Sequence, residues 1–415
     1  MRTVPAVTME WANSGTRDGK TPALSRGTTQ TGVRLYNERL VLSLIRIHGH
    51  LSKAEMARLT GLSAQTVSVI ARQLETEGLL KRLKPRRGKV GQPLVPFELN
   101  ADGAFAIGLK VGRRSGDLML LDLTGKVRRT IHQPHDFPSP GEILEFVKTG
   151  VAELVAGLDV ASRLRITGLG IAAPFDLWNW EEEVGAPHEA LMAWRDFDLA
   201  GEIAKLFDWP VHFCNDASAA CAAELLFGRG RDIRDYAYFY LGYFIGGGIV
   251  LNGSLYLGPN GNAGALGSFP VTAPSGISGQ LIRTASLNVL ERDIARRGGG
   301  GETLWRNADD WSGVGEALDQ WIATAAHSIA TAAAGVACVL DCAAIVIDGA
   351  MPSDVRARLV QAVGEALTHV NMQGISPFTV IEGTIGADAR AMGAASLPLF
   401  ANFIINRNVL FKEQE

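Results

Sequence analysis

The chain has 415 residues, more than a single hydrophobic core usually serves, so two or three domains are expected. A hydrophobic content of 47% with 20% charged residues is typical of a soluble globular protein. The apolar runs are shorter than the ~20 residues of a membrane helix, and the N-terminus has no signal pattern, so we expect a cytoplasmic protein. The four cysteines form no CxxC pair and lie in apolar surroundings, which favours buried, reduced thiols: Cys214, Cys221, Cys338 and Cys342.

The net charge of −3 is unevenly distributed along the chain. Between Thr31 and Asn100, twelve Lys or Arg residues stand against five Glu residues, a net charge of +7, so the rest of the chain carries −10. A small basic module on an acidic body indicates that the first part binds a polyanion and that the remainder does not.

The first hundred residues have the pattern of an arm followed by a small helical domain. Residues 1–30 lack periodicity and are rich in Gly, Ser, Thr and Pro, which predicts a mobile arm. Ser52 and Glu55 have the S-x-x-E spacing of a capping box, and Ser63 is placed to cap a third helix. The elements predicted for this domain, residues 31–100, are helices Gly32–Ile47, Ser52–Leu59 and Ala64–Glu77 and strands Leu79–Leu83 and Leu94–Leu99.

Three helices followed by a two-stranded wing form the pattern of a winged helix-turn-helix. A generic helical bundle would explain the same periodicity. It would not explain why the third helix buries Val67, Ile70 and Leu74 while its open face is polar. That open face comprises Ser63, Gln65, Thr66, Ser68, Arg72 and Gln73. We therefore predict a DNA-binding domain.

The predicted DNA contacts divide into base edges, phosphates and the wing. The start of the third helix is expected to face base edges through Ser63, Ala64, Gln65, Thr66 and Ser68. Gln can bond adenine bidentately, and Ala or a Thr methyl can contact a thymine methyl. Arg46 and Arg72 are expected to contact phosphates. The wing is expected to enter an A·T-rich minor groove, the alternative being a solvated loop; its cations are Arg86, Arg87 and Lys89.

From about Ala104 the pattern changes to strands alternating with helices. Two similar halves of this kind predict two α/β lobes with a cleft between them. The predicted strands are Ala104–Leu109, Asp117–Leu123, Lys126–Pro134, Ile166–Ala172, Val211–Phe213, Tyr236–Leu241, Gly248–Leu251, Ile345–Asp348 and Phe378–Gly383. The predicted helices include Pro140–Leu158, Gly201–Phe207 and an Ala-rich helix that follows Asn215 and Asp216.

Several stretches together resemble the ROK family of bacterial sugar kinases and sugar-responsive repressors. The stretch NERLVLSLIRIHGHLSKAEMARLTGLSAQTVSVIARQLETEGLLKR resembles its repressor branch, the xylose and N-acetylglucosamine repressors. In the body, GLGIAAPFD, CNDASAACAAE, IGGGIVLNGSLYLGPNGNAGALG and GADARAMGAAS resemble family signatures. The resemblance implies a two-lobed actin-like, ribonuclease-H-like body over residues 101–415. Its lobes would cover about 101–220 plus the C-terminal helix 385–400, and 221–384.

The turn after the first body strand departs from the kinase pattern. ROK kinases have an acid and a Gly-Gly-Thr loop where this chain has Lys110, Gly112, Arg113 and Arg114. A lysine cannot ligand Mg²⁺, and the arginines remove the room for close backbone approach to phosphate. We therefore expect a β-hairpin that is kept for the fold. The run Gly246–Gly248 is retained, but close strand packing explains it equally well.

The resemblance also assigns a candidate effector site, from which several family residues are missing. The family's catalytic base aligns with Asp216, and Asn215 and Asp216 either bind sugar hydroxyls or cap the helix that follows. The family's sugar-binding Glu and zinc-binding His are replaced by Ala265 and Ser268. The zinc motif falls on residues 273–282, where its three cysteines and its acid are replaced, so no metal is expected.

Aromatic and histidine side chains are expected at the edge of the same cleft. Trp178 and Trp194 either stack on a sugar or pack in the core. The predicted effector-binding residues are Asn215, Asp216, Ala265, Ser268 and His188. With two family carboxylates gone, this site should bind an ordinary hexose weakly, so the effector is either of another kind or absent.

These observations predict a DNA-binding transcriptional regulator, a repressor in carbohydrate metabolism. It would bind double-stranded operator DNA as a homodimer or homotetramer and would be controlled by a small sugar-like effector bound between the lobes. No cofactor and no kinase activity are expected. The alternatives are a ligand-independent DNA-binding dimer and a sugar kinase with a DNA-binding appendage.

Overall fold

The computed structural model describes residues 29–85, 94–175, 187–301, 303–306 and 309–405, so nearly all of the predicted arm lies outside it. The first domain contains three helices and three short strands: α1 (Gln30–His48), β1 (His50–Ser52), α2 (Lys53–Thr60), α3 (Ala64–Thr76), β2 (Leu80–Arg82) and β3 (Pro96–Leu99). The strands form an antiparallel sheet with the order β1-β3-β2. This arrangement is the predicted winged helix-turn-helix.

Local capping defines the helix-turn-helix. Ser52 accepts a hydrogen bond from the backbone N–H of Glu55, and the Glu55 carboxylate accepts one from the Ser52 backbone N–H at 2.8 Å, which confirms the predicted capping box. Gly61 ends α2 with φ at 71°, a left-handed conformation that favours glycine. Ser63 caps α3 as predicted. The strand β1 was not predicted, because three residues are too few to show an alternating pattern.

The first lobe of the body is built on a five-stranded sheet with helices on its faces. Its elements are β4 (Phe105–Val111), β5 (Ser115–Asp122), β6 (Val127–Pro134), α4 (Pro140–Ala156), α5 (Val160–Arg163), β7 (Ile166–Ala173), α6 (His188–Met192), α7 (Leu199–Ala204), β8 (Val211–Asn215) and α8 (Asp216–Phe227). The strand order is β6-β5-β4-β7-β8, with the first three antiparallel and the last three parallel.

The second lobe has a sheet of the same design. Its elements are β9 (Tyr236–Leu241), β10 (Ile245–Leu251), β11 (Ser254–Tyr256), β12 (Pro270–Thr272), β13 (Ser278–Gln280), α9 (Ile282–Ala285), α10 (Leu287–Arg296), α11 (Thr303–Arg306), α12 (Glu316–Leu340), β14 (Ala344–Gly349), α13 (Ser353–Leu367) and β15 (Thr379–Glu382). The last helix, α14 (Ala389–Phe403), follows the second lobe in the chain but packs on the sheet of the first lobe. The order β11-β10-β9-β14-β15 repeats that of the first lobe, which confirms the predicted pair of similar halves.

Helices α8 and α14 lie between the two sheets and approach each other at backbone distance. A Cβ added to Gly393 of α14 would lie 1.9 Å from the Ala219 carbonyl oxygen of α8. A Cβ on Gly170 of β7 would lie 1.9 Å from the Ala394 carbonyl oxygen of α14. The glycines therefore allow α14 to lie directly on the first sheet and on α8.

The first domain packs directly on this helix pair and on the first lobe. A single apolar cluster joins Val41 and Ile45 of α1 to Leu123 at the end of β5 and to Leu399 of α14. The Arg39 guanidinium donates to the Ala401 carbonyl oxygen at 2.7 Å. The two parts of the chain therefore share one core.

By length and composition, helix α12 is long and apolar enough to cross a membrane. We expected only shorter apolar runs, so that expectation is wrong for this helix. Most of this stretch is buried inside the second lobe, as in the core helix of a soluble protein. Near its end, Cys338 is exposed, so the prediction of four buried thiols is wrong at this position, whereas the other three cysteines are buried.

The close helix crossing predicts a selective effect of added methyl groups. Gly393→Ala places a methyl group against an immovable backbone carbonyl and should lower the free energy of unfolding by about 2 kcal/mol, a typical cost of overpacking. Gly364→Ala in α13 is the matched control, because no heavy atom lies within 4 Å of its added Cβ. This control should be neutral or stabilising by up to about 1 kcal/mol. Urea unfolding measures both; equal changes would contradict the close crossing.

Candidate DNA interface and effector cleft

The first turn of α3 is held by its own hydroxyl groups. The Ser63 hydroxyl accepts from the Thr66 backbone N–H at 3.1 Å, and the two side-chain hydroxyls lie 2.8 Å apart. Both residues remain near the start of the exposed face, as does Ala64. Their hydroxyls are partly satisfied by each other, so base contacts by Ser63 and Thr66 stay predictions.

The exposed face of α3 differs in detail from the predicted one. Gln65, Val69 and Arg72 are exposed and follow one another at the i, i+4 and i+7 positions of one helical stripe. Ser68 lies in the contact between α2 and α3, where its hydroxyl accepts from Lys53 Nζ at 3.0 Å. Val69 was not among the predicted contacts, although its spacing from Gln65 could have identified it.

Arg46 lies away from the open face of the domain. Its Nη2 donates to the Leu123 carbonyl oxygen at 2.9 Å, and its guanidinium lies 5.9 Å from the centre of the Phe227 ring. Burial lowers the pKa of Arg46 to about 10, against a smaller opposite effect of Asp122. The predicted phosphate contact is therefore wrong at this position, because Arg46 binds the body of the protein.

The predicted wing cations lie outside the described residues: Arg86, Arg87 and Lys89. The base of the wing is described on both sides. Leu83 donates its backbone N–H to the Pro96 carbonyl oxygen at 2.8 Å, next to the pairing of β2 with β3. The minor-groove contact of the wing stays a prediction.

The candidate effector cleft begins at the N-terminus of α8. The Asn215 side-chain oxygen accepts from the Ala217 backbone N–H at 3.1 Å and caps the helix, which was one of the two predicted roles. The Asp216 carboxylate pairs with Arg390 of α14 at 3.2 Å. The Arg390 guanidinium also lies 5.2 Å from the centre of the Tyr240 ring. Burial acts to lower the pKa of Arg390, but the opposing effects of Tyr240 and Asp216 are together larger, so the pKa is raised.

Lys110 lies in the same cleft and is fully engaged. It is 8% exposed, and its Nζ donates to the Ser115 hydroxyl at 2.8 Å and to the Asp117 carboxylate at 2.5 Å. Burial, with the charge of Arg390, lowers the pKa of Lys110. Burial would raise the pKa of Asp117, but Lys110 and His132 together lower it. The Lys110 charge is therefore balanced inside the β4–β5 hairpin.

The hairpin turn that would face phosphate in a kinase reaches the second lobe instead. Arg114 pairs with Glu291 of α10, and the Arg113 guanidinium donates to the Asp136 carbonyl oxygen. Both arginines lie over the ring of Tyr243, at 5.6 and 5.9 Å from its centre. The turn therefore bridges the two lobes, a role that the sequence did not predict.

The glycine run of β10 is explained by close packing on a helix and on the neighbouring strand. A Cβ on Gly246 would lie 2.7 Å from the Ala217 side chain, and one on Gly248 would lie 2.5 Å from the Cys221 side chain. Both neighbours belong to α8. A Cβ on Gly247 would lie 2.4 Å from the Leu266 side chain and 2.5 Å from the Tyr238 carbonyl oxygen of β9, so both the helix and the adjacent strand require the glycines.

The remaining predicted effector residues also border β10. Ala265 and Ser268 are exposed at the ends of a short 3-10 turn, and a Cβ on Gly267 within it would lie 2.3 Å from the Ile245 carbonyl oxygen. His188 is exposed at the start of α6, whose Leu191 packs on Phe244 just before β10. The predicted site residues thus come from segments that surround one strand.

Of the two tryptophans predicted at the edge of the cleft, the structure describes one. Trp194 is 6% exposed, and its indole N–H donates to the Pro138 carbonyl oxygen at 2.9 Å, so it packs in the first lobe, the second of its two predicted alternatives. Trp178 lies outside the described residues. Residues 273–282, where the family's zinc motif would fall, comprise the turn between β12 and β13, the strand β13 and the start of α9. Among the residues that the structure describes, no three His, Cys, Asp or Glu side chains are grouped to hold a metal ion.

The Asp216–Arg390 pair predicts a context-dependent loss of stability. Arg390→Leu leaves the Asp216 carboxylate nearly buried without its partner and should lower the free energy of unfolding by about 3 kcal/mol. The double variant Asp216→Leu/Arg390→Leu should recover much of this loss. Arg358→Leu breaks a comparable pair with Asp319 that is exposed, and should cost less than about 1 kcal/mol. Urea unfolding of the wild type and these three variants measures the losses, and equal losses for Arg358→Leu and Arg390→Leu would contradict the prediction.

Comparison with known proteins accounts for both parts of this architecture. Residues 106–399 match the model of the ROK family, and residues 35–89 match the model of the MarR family. The xylose repressor of Bacillus spizizenii is 27% identical over 242 residues, which cover 58% of this chain and 62% of that protein. The alignment thus spans less than two thirds of the repressor's own length.

Solved structures share the fold at low sequence identity. A ROK family transcriptional regulator, a homolog of the E. coli MLC protein, has a TM-score of 0.64 and 21% identity, covering 91% of this chain and 99% of its own. A ROK family glucokinase from Streptomyces griseus has a TM-score of 0.56 and 22% identity, covering 71% of this chain and 99% of its own. The body therefore has the two-lobed, actin-like sugar-kinase fold. Because the family model matches well over half of its residues, this chain belongs to the ROK family.

Proposed function

We propose that the chain is a DNA-binding transcriptional repressor whose first domain binds operator DNA and whose body binds a small sugar-like effector. The observation that carries the proposal is the exposed face of α3. Gln65 and Arg72 are exposed there, on a domain with a net charge of +7. A helix with such a face suits the major groove, where Gln recognises adenine and Arg contacts phosphate or guanine.

The repressor would act in the cytoplasm as a homodimer on a palindromic, A·T-rich site. Two copies of α3 would read the two half-sites, and the wing cations Arg86, Arg87 and Lys89 would enter the flanking minor groove. Arg72 would supply a phosphate contact. Arg46 is left out of this proposal because it is bound to the body.

The effector would bind in the cleft around β10, near Asp216, Ala265, Ser268 and His188. Because the Asp216 carboxylate is paired with Arg390, a hydroxyl group that binds Asp216 must share or replace that ion pair. An effector that does so changes the contact between α8 and α14, whose far ends meet the first domain. The name of the xylose repressor, a relative of this chain, supports a sugar as the effector class.

Kinase activity is not expected from this cleft. The residue aligned with the family's catalytic base is held by Arg390, and Lys110 stands where an acid would organise Mg²⁺. In addition, the turn at Arg113 and Arg114 is engaged with the second lobe.

A ligand-independent DNA-binding dimer is the second candidate function. It is favoured by one observation: Asn215 and Asp216 already have partners within the chain, namely the Ala217 N–H and Arg390. Fewer acceptors are then left for sugar hydroxyls.

The DNA-binding proposal predicts separable effects of two exposed residues. The protein should bind DNA from upstream of its own coding region, with affinity that falls steeply as salt rises. Gln65→Ala should weaken specific binding by about 5- to 150-fold, an effect of about 1 to 3 kcal/mol, and should relax sequence preference. Arg72→Ala should weaken binding to all sequences and reduce the slope of the salt dependence by about 1. Fluorescence anisotropy across a salt series measures both.

The control for Arg72 is Arg358→Ala, which removes an exposed arginine from the body and should leave DNA affinity unchanged. If wild-type protein shows no binding to its upstream DNA at low salt, or if Arg358→Ala weakens binding as much as Arg72→Ala does, the proposed interface is wrong.

Ligand binding separates the two candidate functions. A thermal-shift screen of hexoses, pentoses and amino sugars should reveal a stabilising compound, because a ligand at about 100 times its dissociation constant adds ~2.7 kcal/mol to stability. If no compound in the screen stabilises the protein, the ligand-independent dimer is favoured. ATP-dependent phosphorylation of any of these sugars, abolished by Asp216→Asn, would overturn the assignment as a non-enzyme.

A further inference from the structure

One aliphatic side chain stands on the otherwise polar open face of α3. Val69 is 60% exposed, the largest exposed fraction of any large hydrophobic side chain described in the first domain. The core of the domain uses the opposite face of the helix, where Val67, Ile70 and Leu74 are buried. Val69 therefore contributes little to the fold.

The neighbours of Val69 point to a polyanionic partner with an apolar group. Val69 lies between Gln65 and Arg72 on the same stripe, and it borders a groove of about 640 Å³ between α1 and α3. Val33 and Arg34 line the other side of this groove. Arg72 at the end of the stripe and the net charge of +7 on the domain favour DNA over an apolar protein surface as its occupant, whereas Arg34 is paired with Glu38 of α1.

Valine has no hydrogen-bonding group in its side chain, so it cannot recognise the polar edge of a base. In the major groove, the C5 methyl group of thymine is the apolar feature that distinguishes one base pair from another. A methyl contact removes apolar surface from water on both partners and excludes cytosine, which lacks the group.

We infer that Val69 contacts the C5 methyl group of one thymine in each operator half-site and thereby specifies that base pair. The inference rests on the proposed DNA-binding function. It adds a specificity residue beside Gln65 and assigns Val69 the thymine-methyl contact that Ala64 or Thr66 would otherwise supply.

The test removes the apolar contact from each partner in turn. A duplex is first selected by the full-length protein from a random 30-base-pair pool, and each thymine is then replaced singly by uracil, which removes only the C5 methyl group. At one thymine per half-site, wild-type affinity should fall by about four-fold, as expected for one buried methyl group. Val69→Ala should bind the parent duplex about four-fold more weakly and should show no further loss at that thymine.

The control is Val33→Ala across the groove, which should retain the wild-type loss at the same thymine. Far-UV circular dichroism checks that each variant is folded. The inference is overturned if no thymine is sensitive in the wild type, if Val69→Ala remains sensitive, or if Val33→Ala loses the sensitivity as well. Failure of the wild type to enrich or bind any duplex would instead refute the proposed function itself.

Discussion

The arrangement of the body depends on the backbone contact between α8 and α14. Gly393 faces the Ala219 carbonyl oxygen with no space for a side chain, and Gly170 faces the Ala394 carbonyl oxygen in the same way. Helix α14 is thereby fixed to the first sheet, and α8 is fixed to the second sheet through Gly246 and Gly248. The contact between Asp216 and Arg390 follows from this pair, since the first turns of the two helices carry these residues.

Three cations around the cleft are paired with carboxylates of the protein. Lys110 is neutralised by Asp117, Arg390 by Asp216, and Arg114 by Glu291 on the opposite lobe. In a kinase of this family, the residues at these positions would bind metal, phosphate and sugar. Here they hold the hairpin and the two lobes together, so the family's fold is retained while the groups that would bind nucleotide are used for internal contacts.

The sequence predicts best what local chemistry decides. The capping box of Ser52 and Glu55, the cap at Ser63 and the apolar central strands each have a short-range signal, and the structure has them nearly where they were expected. Contacts between distant segments have no such signal. Arg46 resembles any surface arginine until Leu123 and Phe227 are placed beside it, and nothing in the spacing of Asp216 and Arg390 shows that they meet.

The shared core of the first domain and the body has a consequence for how the chain gains and loses its structure. Because Val41, Ile45, Leu123 and Leu399 belong to one apolar cluster, separating the DNA-binding domain from the body exposes side chains of both. The free energy of that exposure couples the two parts, so the DNA-binding domain is not an independently folding unit joined to the body by a flexible linker. Unfolding of α1 and of α14 should be cooperative, and this shared cluster holds the orientation of α3 relative to the body.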